Sequence, residues 1–218
     1  GVIYNYYGGN LTVINSTFNN NKATGSMNDG GVIYNYYGGN LTVINSTFIN
    51  TTAARHGGAI FNYDGGIATV INSNFINTST KFMGGAIYST KNTFVLNSTF
   101  INTKATNLNG NGVRGGSILC TANLYVLDSE FINTYAFTSG GAIYGKNVNV
   151  VDSEFINTAT GNFGGSIYSA DVVTVINSTF TNTTATTGSD IYATSGNVTL
   201  ICNDYDGKAR YINITEVY

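Results

Sequence analysis

The sequence predicts an all-β fold, a right-handed single-stranded parallel β-helix of about eight coils. Two observations predict it: two short motifs alternate strictly along the chain, and only the segments between them vary in length. The period runs from 24 to 31 residues, with short β-branched runs bounded by Gly, Asn and Thr. Such runs are typical of strands separated by tight bends, whereas helical repeats of similar period need amphipathic segments that this chain lacks. A constant core with variable loops indicates one coil per repeat.

The first motif is a pair of glycines followed by a small residue, an isoleucine and an aromatic residue. It occupies residues 30–34, 57–61, 84–88, 115–119, 140–144 and 164–168, with a truncated copy at 1–4 and a degenerate one at 189–192. Stacked coils place equivalent residues one strand spacing apart. We therefore expect one buried column made of Ile3, Ile33, Ile60, Ile87, Ile118, Ile143, Ile167 and Ile191.

The second motif reads valine, aliphatic, Asn or Asp, serine, any residue, phenylalanine, any residue, asparagine. It occupies residues 13–20, 43–50, 70–77, 95–102, 126–133, 150–157 and 175–182, and an eroded copy occupies 200–207. Its phenylalanines predict a second buried column, which Tyr205 closes: Phe18, Phe48, Phe75, Phe100, Phe131, Phe155 and Phe180.

The last asparagine of the second motif is the same in seven copies. We interpret the column as an asparagine ladder at a bend, because Asn adopts left-handed backbone angles readily. A row of glycosylated asparagines is the alternative, but only Asn50, Asn77 and Asn182 begin a glycosylation sequon. The column consists of Asn20, Asn50, Asn77, Asn102, Asn133, Asn157 and Asn182.

The alternating motifs resemble the repeats of chlamydial polymorphic outer-membrane proteins, and the Asn- and Thr-rich sequence resembles still more closely the adhesin-like surface proteins of methanogenic archaea. The resemblance covers essentially the whole chain. It implies an extracellular, cell-surface β-helix with an adhesive or architectural role and a glycan or surface protein as partner. It defines no catalytic residue, cofactor or metal ligand, and none is expected. The identity of residues 1–18 with residues 31–48 also favours a spacer, since duplication would misplace an active site.

An aromatic column follows the buried isoleucines, and strand alternation places it on the opposite side of the sheet. Exposed tyrosines suit sugar rings and protein partners, so these residues are candidates for binding. The alternative is cross-strand stacking that stabilises a parallel sheet. The candidates are Tyr4, Tyr6, Tyr7, Tyr34, Tyr36, Tyr37, Tyr63, Tyr88, Tyr144 and Tyr168, and the column also includes Phe61, Leu119 and Tyr192.

A column of aliphatic residues follows the inward valines of the second motif. Strict alternation exposes it as a strip suited to self-association, whereas a bend turns it inward, and both arrangements stay open. The column consists of Ile14, Ile44, Ile71, Leu96, Leu127, Val151, Ile176 and Ile201.

A polysaccharide lyase or hydrolase is the competing hypothesis, and a viral fibre segment that binds host glycan is another. Asp128, Glu130, Asp152 and Glu154 form the one carboxylate cluster, at matching positions of adjacent coils. We interpret the aspartates as bend residues and the glutamates as outward residues, because no basic partner shares their columns. His56 is interpreted as a solvated residue of a mildly basic loop edge.

Composition limits the partners. The chain has 218 residues, 9 basic and 11 acidic, with a formal net charge of −2, which gives no electrostatic reason to expect nucleic acid or an anionic membrane surface. No apolar run approaches the ~20 residues of a membrane-spanning helix.

Cys120 and Cys202 stand about three coils apart, roughly 14 Å at the spacing of stacked strands, and are expected to be buried free thiols.

Residues 1–207 are expected to be β-helix repeats from a longer array, and residues 208–218 a terminal strand or the start of another domain. The first repeat begins in mid-coil, so we expect more coils upstream in the native protein. Open coil ends are a second expected route to self-association.

Overall fold

The structure is a computed structural model that describes residues 1–25, 28–107, 112–194, 197–205 and 214–216. Over these residues the chain is all β and winds into a right-handed parallel β-helix of about eight coils, which confirms the predicted fold class. Every strand pair in the described part is parallel, and up to Tyr205 each strand pairs with its equivalent one repeat away. Coils are numbered here from one to eight by the isoleucine of the first motif, from Ile3 to Ile191.

Sheet A has 15 strands and carries the first motif and the valines of the second. In coils five and six one long strand spans both segments, whereas the other coils divide it in two. Its strands are Ile3–Tyr6, Leu11–Ile14, Ile33–Tyr36, Leu41–Ile44, Ile60–Tyr63, Ala68–Ile71, Ile87–Ser89, Thr93–Leu96, Ile118–Leu127, Ile143–Val151, Ile167–Ser169, Val173–Ile176, Ile191–Ala193, Val198–Ile201 and Ile214–Glu216.

Sheet B has eight short strands centred on the phenylalanine column, and sheet C has six strands of two residues. The strands of sheet B are Thr17–Asn19, Thr47–Ile49, Asn74–Ile76, Thr99–Ile101, Glu130–Ile132, Glu154–Ile156, Thr179–Thr181 and Asp204–Tyr205. Those of sheet C are Lys22–Ala23, Thr52–Ala53, Ser79–Thr80, Lys104–Ala105, Tyr135–Ala136 and Ala159–Thr160.

The core lies inside the coil, and both predicted columns are in it. The isoleucines from Ile33 to Ile191 and the phenylalanines from Phe48 to Phe180 are at most 1% exposed. Neighbouring phenylalanine rings from Phe48 to Phe180 stack with centroids 4.8–4.9 Å apart, and Tyr205 continues the stack on Phe180 at 5.2 Å. The ring spacing matches the spacing of the backbones, so each ring contacts both neighbours without displacing a strand.

Left-handed residues make the bends between the sheets. The asparagine column between sheets B and C has φ from 52° to 58°. Asn50 Nδ2 donates to Asn20 Oδ1 at 3.1 Å, and Asn77 Nδ2 to Asn50 Oδ1 at 3.0 Å. A second left-handed column between sheets A and B contains Asn15, Asn45, Asn72, Asn97, Asp128, Asp152, Asn177 and Cys202. Short polar side chains tolerate this backbone conformation best, which explains the residue type at both bends.

Buried asparagines form a row that the sequence analysis did not identify. Asn35 and Asn62 are fully buried in sheet A. Asn5 Nδ2 donates to Asn35 Oδ1 at 2.7 Å and Asn35 Nδ2 to Asn62 Oδ1 at 2.6 Å, while each amide also donates to a glycine carbonyl four residues later. These bonds satisfy polar groups that would otherwise be costly to bury.

A buried threonine follows the bend asparagine in six of the seven copies, from Thr51 to Thr183. The hydrogen bonding of its hydroxyl depends on the small residue that follows the next glycine pair. Thr103 bonds Ser117 at 2.5 Å, and Thr158 bonds Ser166 at 2.6 Å. The hydroxyls of Thr51, Thr78 and Thr134 have no partner among the described residues, and the equivalents of Ser117 in those coils are Ala59, Ala86 and Ala142. A serine at that position therefore supplies the missing hydrogen-bond partner.

We expect Ala86→Ser to stabilise the protein by about 0.5–1.5 kcal/mol, because it pairs the buried hydroxyl of Thr78. Ser166→Ala is expected to destabilise by about 1–3 kcal/mol, since it leaves the Thr158 hydroxyl unpaired. Denaturant unfolding measures both changes. The control is Ala105→Ser, which adds a hydroxyl beside buried Val113 and Ala136 and is expected to destabilise. Equal losses in Ala86→Ser and Ala105→Ser would contradict the pairing.

Both cysteines are free, but the prediction that both are buried is wrong for Cys202. Cys120 is fully buried in sheet A, where its Sγ donates to Lys91 O at 3.3 Å, and burial raises the pKa of its thiol. Cys202 is exposed because it occupies the left-handed bend column, with φ 52°. Bend side chains in this column face solvent.

At the C-terminal end, Ile214–Glu216 pairs in parallel with Val198–Leu200 and adds one strand to sheet A. The predicted division between residues 207 and 208 lies outside the described residues.

Candidate functional site

The aromatic column of the first motif runs along the outer face of sheet A. Tyr4, Tyr34, Phe61 and Tyr88 stack in sequence with ring centroids 4.9, 5.2 and 5.1 Å apart. Tyr144, Tyr168 and Tyr192 form a second stack at 4.6 and 5.5 Å. Leu119 lies between the two stacks, in register with Tyr88 and Tyr144.

Coils one to three add two further rows of tyrosines. Tyr6, Tyr36 and Tyr63 stack at 5.4 and 5.2 Å, and Tyr7 stacks on Tyr37 at 5.2 Å. The two rows meet edge to face, with 4.5 Å between the rings of Tyr6 and Tyr7. All ten candidate tyrosines thus lie on the outer side of sheet A, seven of them together in coils one to three.

Stacking determines what these rows present to a partner. Neighbours cover the ring faces within each row, so ring edges and hydroxyls remain accessible. Partial burial and the neighbouring Tyr4 raise the pKa of Tyr34 to about 12, so its hydroxyl stays a hydrogen-bond donor at alkaline as well as neutral pH. The tyrosine rows therefore present mainly hydroxyl groups to a partner, and few ring faces are open for stacking.

The predicted exposure of the column is wrong at Phe61 and Leu119, which are 3% and 2% exposed. The segments before the glycine pairs form bridges with one another, in the order His56, Met83, Arg114, Ser139, Phe163 and Thr187. This outer row lies beside the aromatic column and covers it. His56 stacks on Tyr88 with ring centroids 5.0 Å apart and on Phe61 at 6.4 Å.

The interpretation of His56 as a solvated residue is also wrong. His56 is half-buried between aromatic rings, and burial lowers its pKa below the ordinary histidine value. Arg55 does not contribute a free charge to a basic edge, because its guanidinium forms an ion pair with the buried carboxylate of Asp29. The His56 backbone N–H also donates to Asp29 Oδ1, at 3.0 Å. The contacts with Asp29 anchor the loop that contains Arg55 and His56 to the preceding coil.

The carboxylate cluster has the geometry predicted for bend and outward residues. Asp128 and Asp152 are exposed, with φ of 49° and 50°, and Asp152 accepts a hydrogen bond from Asn177 Nδ2. Glu130 pairs in register with Glu154 on sheet B. No group of three His, Cys, Asp or Glu residues able to hold a metal ion occurs in the described part of the chain.

The aliphatic column lies on the outer side of the coil rather than turned inward. Ile14 is 50% exposed, and the other seven members are half-buried. The preceding valines are inside, with Val43 and Val95 fully buried. The members stand in register on neighbouring strands of sheet A, and Ile14 in the first coil has only one such neighbour, Ile44.

A groove of about 580 Å³ opens where Leu119 interrupts the aromatic column. The ring partners of Tyr88 are Phe61 and His56 from the preceding coil, and the ring partner of Tyr144 is Tyr168 from the following coil. Tyr88 and Tyr144 are therefore separated by two strand spacings, roughly 9.6 Å, which is the room for one missing ring.

Arg114 occupies part of this gap. Its guanidinium carbon lies 4.9 Å from the centroid of the Tyr144 ring, and Nη1 donates to Tyr144 Oη at 3.1 Å. Lys146 is exposed at the rim, and Asp171 follows it one coil later, with its N–H bonded to Lys146 O. Neither Arg114 nor Lys146 forms an ion pair within the described ranges. The groove thus combines two unpaired cations, one carboxylate and aromatic surface.

This groove was not among the sites predicted from the sequence. A signal for it was visible, since Leu119 is the one non-aromatic member of its column and Arg114 stands five residues before it. The sequence did not indicate that a loop residue from the same coil would stack in the vacant position.

Comparisons with protein-family models, curated proteins and solved structures found no match to this chain. Within the described residues, no helix is long and apolar enough to cross a membrane.

Proposed function

We propose that this chain is a non-catalytic module of an extracellular cell-surface protein, a stalk or adhesin that attaches to a glycan or a protein partner. The observation that carries the proposal is the repetition of one outer surface along the axis. Coils one and two have identical sequences over residues 1–18 and 31–48 and stack in register, so each tyrosine of one faces the same tyrosine of the other. A surface repeated at a fixed spacing suits multivalent attachment and a rigid spacer.

The polar columns support a structural role for most of the recurring side chains. We interpret the asparagine column from Asn20 to Asn182 as an asparagine ladder rather than a row of glycan carriers, because the side-chain amides of neighbouring members bond one another in every pair except Asn102 and Asn133. At the bend between sheets A and B, Asp152 likewise accepts a hydrogen bond from the next member of its column, Asn177. The surface left for a partner is the outer face of sheet A, with its tyrosine rows and the groove at Leu119.

Incubating the 218-residue chain with an array of plant and microbial polysaccharides, with and without calcium, tests the proposal. We expect binding of at least one glycan with no release of cleaved product. The matched control is Asp152→Ala, which removes a bend carboxylate and is expected to leave binding unchanged. Polysaccharide cleavage that disappears in Asp152→Ala would overturn the proposal in favour of a lyase or hydrolase.

A further inference from the structure

We propose that the groove at Leu119 binds a carboxylated sugar residue of an acidic polysaccharide. This inference rests on the proposed adhesive function and names the ligand class of its binding face. The groove is lined by Tyr88, Arg114, Tyr144, Lys146 and Asp171, with Leu119 at its floor. Its volume of about 580 Å³ lies within the usual range of ligand pockets, roughly 300–1,000 Å³.

Arg114 supplies the recognition of the carboxylate. The stack on Tyr144 and the bond from Nη1 to Tyr144 Oη hold the guanidinium in one orientation. A guanidinium has five N–H donors in a fixed plane, and a carboxylate accepts two of them in parallel. Because Arg114 has no carboxylate partner among the described residues, its remaining donors are available to a ligand.

The rest of the groove fits a sugar ring. The partly exposed Tyr88 and Met83 side chains provide the apolar contact that the C–H groups of a pyranose require. Lys146, Thr121 and Asp171 provide donors and acceptors for its hydroxyls. An acidic peptide would present carboxylates on flexible side chains and would leave the apolar floor without a rigid partner. A ring that carries both a carboxylate and hydroxyls uses every part of the lining.

The charges predict two effects of opposite sign. Arg114→Gln is expected to weaken binding of an acidic sugar by about tenfold or more, because it removes charge-assisted hydrogen bonds. Asp171→Asn is expected to strengthen binding by about two- to fivefold, since it removes repulsion between two carboxylates at the rim. Higher salt should weaken binding to the unmodified chain.

Leu119→Tyr blocks the groove without disturbing the fold. Tyrosine is the commonest residue at this position, and the new ring would fill the gap between Tyr88 and Tyr144 and displace the Arg114 guanidinium. We expect unchanged or higher thermal stability and loss of binding. Lys104→Gln, which removes an exposed cation from sheet C, is the matched charge control and should bind normally.

Isothermal titration of the 218-residue chain measures these effects with three probes: a short oligogalacturonate, the same oligosaccharide with its carboxylates methyl-esterified, and an oligoglutamate. We expect the oligogalacturonate to bind most tightly and the ester at least about tenfold more weakly. Equal binding of acid and ester, or tighter binding of oligoglutamate, overturns the inference. Normal binding by Arg114→Gln or Leu119→Tyr overturns it as well.

These outcomes are distinguishable from failure of the proposed function. A chain that binds neutral glycans on the array but not through Arg114 retains the adhesive function and loses the acidic-sugar site. A chain that binds no glycan and no protein partner loses both. Cleavage of oligogalacturonate would contradict the non-catalytic function while leaving the groove as the binding site.

Discussion

Phe100→Ala is expected to lower the free energy of unfolding by about 3–5 kcal/mol. Phe100 is fully buried and stacks on Phe75 and Phe131, with both ring centroids 4.8 Å away. Removing the ring leaves a cavity between two rings that cannot close, because the backbone spacing of sheet B holds them apart. Denaturant unfolding of the variant and the parent chain measures the loss.

Phe82→Ala is the matched control. Phe82 has the same side chain but lies half-buried in the loop before a glycine pair. Its ring meets the His56 ring edge to face, with 6.0 Å between the ring centroids. Its replacement is expected to cost far less, because loop side chains can adjust and water can reach the vacated space. Equal losses in the two variants would show that the buried column does not supply the main stability of the coil.

Gly85→Ala should be more damaging than its single methyl group suggests. A Cβ at this position would lie 1.9 Å from Gly116 O and 2.7 Å from Lys104 N, which are backbone atoms of neighbouring segments. No side chain can rotate to relieve the contact, so coils four and five must separate or the strand must shift. We expect a loss above about 4 kcal/mol, at the severe end for a single substitution. Thermal unfolding, with circular dichroism as readout, tests it.

Gly9→Ala separates steric conflict from any general effect of replacing glycine. A Cβ on Gly9 would meet nothing within 4 Å, and Gly9 is not among the glycines with positive φ. We expect a change of less than about 1 kcal/mol, because the only effects are on the unfolded chain and on solvent-exposed surface. A large loss in Gly9→Ala, or a small one in Gly85→Ala, would contradict the close approach of adjacent coils at the glycine pair.

Periodicity determined the coil architecture without help from tertiary structure. Equivalent residues of a β-helix stack directly on one another. A repeat with isoleucine at the position of Ile60 in all eight copies and phenylalanine at the position of Phe75 in seven therefore indicates which side chains share the core. The left-handed bends could also be predicted from the sequence, because few residue types tolerate that backbone conformation. Interpreting Asp128 and Asp152 as bend residues used only this local chemistry, and their φ values agree with it.

Tertiary structure alone decided which outward residues are covered. Strand alternation places Phe61 and Leu119 outside, yet the row of bridged segments that includes His56 and Arg114 lies beside them and excludes water. The position of that row depends on loops that differ in length between coils, so no repeat pattern encodes it. The groove at Leu119 has the same origin, because it requires Tyr88, Arg114 and Tyr144 from three successive coils. The columns follow from the repeat, whereas a site that occurs once along the axis depends on how a variable loop packs against its neighbours.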